Sequence, residues 1–200
     1  MSNSKAALCC AAAAGAAIGA VALALVCKIK DRRQRADAKT NCHTAGSEAS
    51  EIDSHIWSTQ VPARALGIVV DSADSSSLVL SAPLLDNKNV HGTAFAGSLY
   101  AIGVLCSYYL GRAWVRHQGL ADAGYELVAK SGSVQYKRPV TTSRICAKSV
   151  LPSAEALANF RRDLEAKGKA VVVISGCVLG AEEKVACEYQ IEVCAFLPRR

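Results

Sequence analysis

The longest apolar run lies at the very start of the chain. Residues 6–27 carry no charge and are bounded by Lys5 and Lys28. As a helix rising 1.5 Å per residue this run measures roughly 33 Å, enough for a hydrocarbon core of about 30 Å. It reads as a membrane-spanning helix. A cleaved secretory signal and an organelle presequence are the alternatives, but the first has a shorter apolar stretch and the second spreads its arginines through an amphipathic helix. Gly15 and Gly19 form a GxxxG spacing that suits close helix packing and also arises readily among alanines. Cys9, Cys10 and Cys27 are either acylation sites or small apolar residues.

Residues 31–50 are polar and without hydrophobic period, as expected of a tether. Ile52, Ile56 and Trp57 then recur at helical spacing and predict a short helix over residues 50–60. Beyond it, residues 65–71 and 77–84 are β-branched apolar runs separated by Asp74-Ser75-Ser76, the pattern of a hairpin. Residues 89–111 form the longest uncharged stretch outside the N-terminal run. Its glycines, serines and tyrosines make it poor in lipid, so it predicts a helix buried by a sheet and not a second span. Residues 125–131 and 134–140 read as one long strand bulged at Gly132, and residues 143–151 as another. Residues 153–167 predict a helix capped by Ser153, with Leu157, Phe160 and Leu164 on one face. Residues 170–179 and 184–196 close the chain as two strands. The order β-β-α-β-β-α-β-β, with short turns, implies an antiparallel sheet and the α+β class.

Charge changes the picture mainly by where it sits. Of the net +6, residues 28–39 hold +4, whereas residues 40–200 balance 16 basic against 15 acidic residues. A nucleic-acid partner is not expected, because its binding face would spread positive charge over the folded domain, and aromatics are only 6%. The basic block follows the apolar run directly, so the positive-inside rule makes this a single-pass membrane protein with its domain facing the cytosol. The organelle stays open, a mitochondrial membrane included. The expected organisation is an anchor with basic flank over 1–30, a tether over 31–50 and one domain over 51–200. Nine cysteines without a CxxC or a paired Cys/His spacing predict no metal site and fit a reducing compartment.

The string Asn89-Val90-His91-Gly92-Thr93, opening an uncharged helix, resembles the loop-to-helix junction of hot-dog-fold thioesterases. The strand Val134-Gln135-Tyr136-Lys137-Arg138-Pro139-Val140 is similar to the one after their central helix. Closer still, Ala82-Pro83-Leu84, Asn89 and the string Gly92-Thr93-Ala94-Phe95-Ala96-Gly97-Ser98-Leu99-Tyr100 look like the thioesterase domain that bacteria carry alone or fused behind an acetyltransferase. The resemblance runs from about Ile56 to Leu197. It implies a curved antiparallel sheet of about six strands around a long central helix, and a homodimer or dimer of dimers with sites at the interface. It also implies hydrolysis of an acyl thioester of coenzyme A or a carrier protein, with no cofactor beyond the coenzyme A of the substrate.

Thioester hydrolysis needs a polarised carbonyl, an activated water and a thiolate leaving group. Gly92 and Thr93, placed at a helix N-terminus, would offer N–H groups to an oxyanion, with Gly97 leaving room for substrate. His91 either polarises the carbonyl and orients water or is a loop histidine facing solvent. Asn89 either bonds substrate or shapes the turn. The helix carries no carboxylate, where many relatives of this type place one. Ser98 and Tyr100 are the remaining polar candidates on it, with packing as their alternative role. Lys137 and Arg138 are candidate contacts for a coenzyme A phosphate, or solvated strand-end charges. A non-catalytic dimer that binds acyl thioesters or lipid is the alternative reading. A dehydratase or hydratase of the same fold also needs a placed carboxylate.

Overall fold

A computed structural model describes residues 46–198. The expected anchor at residues 6–27 and the tether up to residue 45 lie outside the described residues.

The first helix, α1 (Ser47–Thr59), starts three residues before the predicted one and takes in the end of the expected tether. Ala49 is as buried as Ile52 and Ile56, so a small residue extends the apolar stripe one turn back. A five-residue helix, α2 (Val61–Ala65), with Pro62 in its first turn, ends where the first predicted strand was to begin, and the strand itself starts four residues later. Strands β1 (Val69–Ala73) and β2 (Ser77–Pro83) form the expected hairpin. In its turn, Asp74 accepts from the backbone N–H and hydroxyl of both Ser76 and Ser77. Those bonds hold the Asp74 carboxyl down at about 2.

The central helix α3 (Ala96–His117) begins seven residues later than the predicted start and runs six residues past the predicted end. Its last turns carry Arg116 and His117, which pair with Glu51 and Glu48 of α1. The charged end of the helix is thereby held by a neighbouring helix, which an apolar pattern does not record. Among the described residues no helix is long and apolar enough to cross a membrane.

Strand β3 (Glu126–Tyr136) is a single strand whose register shifts between Ala129 and Ser131, so the bulge sits at Lys130 and not at Gly132. It stops before Lys137, whose N–H joins that of Arg138 on the carbonyl of Ala186. Strand β4 (Arg144–Val150) leads to α4 (Ala154–Lys167). Ser153 caps α4 by accepting from the Ala156 N–H at 3.2 Å, and Gly168 ends it at φ 66°. Strands β5 (Lys169–Leu179) and β6 (Val185–Phe196) complete a six-stranded sheet of order β1-β2-β4-β5-β6-β3. Every neighbouring pair is antiparallel.

One face of the sheet packs on α3, which touches β2 to β6. A close approach is made at Tyr189, a buried residue of β6 whose ring lies between Gly103 of α3 and Gly176 of β5. A Cβ at Gly103 would come 2.9 Å from the ring, and one at Gly176 would collide with it outright. The Tyr189 hydroxyl sits 3.0 Å from Ser149 Oγ, itself 3.1 Å from Ser107 Oγ, so a buried polar chain links β6, β4 and α3. A second small core between α3 and α4 is built on Val115, Phe160 and Leu164.

Candidate functional site

The segment from Leu84 to Phe95 carries the chain from the edge of β2 to the start of α3, and two asparagines shape it. Asn87 is buried; its Nδ2 donates to the carbonyls of Leu66 and Pro83, both at 2.8 Å, and its own carbonyl accepts from the Phe95 N–H at 2.7 Å. Its Oδ1 has no partner among the described residues. Asn89 is the hub of the loop. Its Oδ1 accepts from the N–H groups of His91 at 2.9 Å and Thr93 at 3.2 Å, and its Nδ2 donates to Thr93 Oγ1 at 3.0 Å. Its carbonyl accepts from Gly92, which sits at φ 75° where only glycine is unstrained. Asn89 thus uses its polar atoms on the turn, and Ala94 anchors the end of the loop through its N–H to the Val140 carbonyl.

The consequence for the expected oxyanion donors is direct. Gly92 and Thr93 do not stand at the helix N-terminus, and their N–H groups are spent on Asn89. The first turn of α3 belongs instead to Ala96, Gly97 and Ser98, whose N–H groups have no partner within the helix. Of Gly92, Thr93 and Gly97, only Gly97, expected to leave room for substrate, lies in that turn. The Phe95 ring covers it: a Cβ on Gly97 would collide with that ring, which is itself 54% exposed.

The other expected residues separate into two groups. Ser98 is buried in the first turn, and Tyr100 reaches β3, where its hydroxyl would come within 2.5 Å of a Cβ added to Gly132. Tyr136, the last residue of β3, donates its hydroxyl to the Ala96 carbonyl at 3.0 Å. Burial, with Cys187 and Tyr100 nearby, raises its phenol. Tyr100, Tyr136, Gly97 and Ser98 are therefore gathered at one end of α3. His91 stands apart on the exposed tip of the loop, beside a fully exposed Val90. Lys137 pairs with Glu188, and Arg138 donates to the Val185 carbonyl at 2.8 Å, so both cations are engaged at the end of β3. Among the described residues no cluster of three metal-ligating side chains occurs.

The sequence reading gave Asn87 no role and named Phe95 and Tyr136 only within the strings that carry the family resemblance. Asn87 stands two residues before Asn89 in a turn-rich stretch, a signal that was present but indistinct. Phe95 and Tyr136 carried no individual role, and only the folded backbone brings them together at the helix end.

The profile of a family described as "Putative thioesterase (yiiD_Cterm)" matches residues 50–195. A search of curated proteins gives no match. Among solved structures, a protein of unknown function from Chlorobaculum tepidum is 26% identical, with a TM-score of 0.66 over 75% of this chain and 94% of that one. A structure described as a putative thioesterase from Shewanella oneidensis is 24% identical, with a TM-score of 0.61 over 76% of this chain and 98% of that one. A thioesterase from Haemophilus influenzae shares the fold at 12% identity, with a TM-score of 0.58 over 78% of this chain and 93% of that one. The matched profile takes in α1 through β6 and the loop–helix junction, so the chain belongs to this family of hot-dog thioesterases.

Proposed function

We propose that the chain is an acyl-thioester hydrolase, acting on acyl-CoA or an acyl carrier and held at a membrane through residues 6–27. The observation that carries this reading is the first turn of α3, delivered by an asparagine-ordered loop with its N–H groups unused. Such donors, in line with the helix dipole, favour the negative oxygen that develops when water adds to a thioester carbonyl. Water forms the new C–O bond, the C–S bond breaks, and the proton released by water ends on the departing thiolate. His91, which stands apart from that turn in a single copy, takes that proton in transit where a second copy brings its loop to the site. Tethering suits acyl-CoAs, which partition into membranes, by raising their local concentration.

The same reading includes a homodimer through β3. That strand is eleven residues long and lies at the open edge of the sheet, and most of it is exposed. Asp122 and Glu126 stand at its start and Lys137 and Arg138 just past its end. An antiparallel pairing with a second copy sets acid against base twice.

The absence of any carboxylate on α3 favours a second reading, a dimer that binds acyl thioesters without turnover. Full-length protein in detergent micelles, given a chain-length series of acyl-CoAs and scored for thiol release, separates the two. Hydrolysis that His91→Ala lowers by about 10²-fold is the expected result. A folded protein that binds every member of the series and releases no thiol would move the assignment to the binding dimer.

A further inference from the structure

Gly97 is the second residue of α3, and it is not among the glycines at positive φ. Nothing in its backbone asks for glycine, and alanine makes the better helix. The neighbour that asks for it is Phe95. A Cβ on Gly97 would meet three atoms of the Phe95 ring, two of them at 2.9 and 3.1 Å and the third closer still. The ring therefore lies against the bare backbone of the first turn. It is held there from both sides. The Phe95 N–H donates to the carbonyl of the buried Asn87 at 2.7 Å, and its carbonyl accepts from the Leu99 N–H at 3.1 Å. With the backbone fixed, only the two side-chain torsions remain, so the ring is a placed group.

The position is unusual for a phenylalanine. Phe95 is the N-cap of α3, where Ser, Thr, Asp or Asn would normally turn an oxygen to the N–H groups of the turn. Phe95 makes no such bond, so those donors stay unused and an apolar surface stands beside them. An oxygen that accepts from the Gly97 N–H, at about 2.9 Å, sits against the backbone atom next to the one the ring touches. The carbons attached to that carbonyl then run along the ring. Of the two arms of a thioester, the pantetheine arm carries amides and the acyl arm is apolar, so the ring favours the acyl arm.

We infer that Phe95 is the acyl-selecting residue, its ring being the wall on which the methylenes next to the thioester carbonyl pack, and that the substrate class is therefore acyl groups longer than acetyl. This rests on the first turn of α3 as the thioester site. S-ethyl- and S-hexyl-coenzyme A are thioethers that cannot be hydrolysed, and calorimetry on the full chain reads their affinities without any turnover. The wild type should favour the hexyl compound. Phe95→Ala should cut that preference about tenfold by weakening the hexyl compound and leaving the ethyl compound nearly unchanged. Phe95→Leu should fall between, and serves if the alanine variant does not fold. Gly97→Ala pushes the ring from its seat and should lower the preference as Phe95→Ala does. The double variant Phe95→Ala/Gly97→Ala should be no worse than Phe95→Ala alone, and should recover the unfolding midpoint that Gly97→Ala loses. Equal losses for the two thioethers in Phe95→Ala, losses in Gly97→Ala that simply add to them, or a wild type that binds neither thioether overturn the inference. A Phe95-dependent length preference in a chain that releases no thiol upholds it and sinks the hydrolase instead. Hydrolysis of hexanoyl- over acetyl-CoA that Phe95→Ala leaves unchanged does the reverse.

Discussion

Single residues decide how tightly the sheet and the helix meet. Ser149 is buried with a hydroxyl on either side of it, so Ser149→Ala leaves Tyr189 and Ser107 each without a bond they cannot recover from water. The expected loss is about 1–3 kcal/mol, read as a lowered midpoint in denaturant unfolding. Gly176→Ala should be at least as damaging, because the new methyl meets the Tyr189 ring with Gly103 backing it on the far side. Cys106, in the same region, is a buried thiol pushed up to about 11, and it points its Sγ to the Leu78 carbonyl at 3.2 Å. It behaves as a packing residue and not as a nucleophile.

At the scale of elements, the β1–β2 hairpin holds a titration that can be followed directly. Asp74 has a folded value of about 2 against an ordinary 3.8, so its charged form is the one the turn favours. The stabilisation is fully present above the ordinary value and fades as pH falls from about 4 towards 2. Acid unfolding of Asp74→Asn should therefore lose part of its slope in that window, while its stability near neutrality is lower than that of the wild type. The hairpin itself, all six strands and the α4 cap were legible in the sequence because alternation, turn residues and Ser153 act locally. The start of α3 was not: residues 89–95 carry no Asp, Glu, Lys or Arg, like the first sixteen residues of the helix they precede. What keeps them out of it is the bonding of Asn89 to His91 and Thr93 and the tie from Ala94 to Val140, 46 residues on. The loop–helix junction could thus be located by its residue types, whereas the donors it exposes could not.

For the whole molecule, charge offers a clean handle on assembly. If β3 pairs with a copy of itself, Glu126→Arg and Arg138→Glu should each weaken the dimer by placing like charges together at both ends of the seam. The double exchange restores opposite signs and should recover the dimer, with sedimentation equilibrium as the readout. Independent effects of the two substitutions, with no recovery in the pair, would count against this seam.

The bulge at Lys130 bears on that pairing in another way. Before it, Leu127 and Ala129 face α3; after it, Gly132, Val134 and Tyr136 do. Rungs of an antiparallel pair carry side chains to the same face. A two-fold axis on Gly132 matches inward residues with inward residues only when Lys130 is left out of the pairing, so that Val134 meets Ala129 and Tyr136 meets Leu127. Sliding by a single rung would turn Tyr136 of one copy against an outward residue of the other. A second copy paired along the whole of this edge must therefore step over Lys130, as β6 already does on the other side.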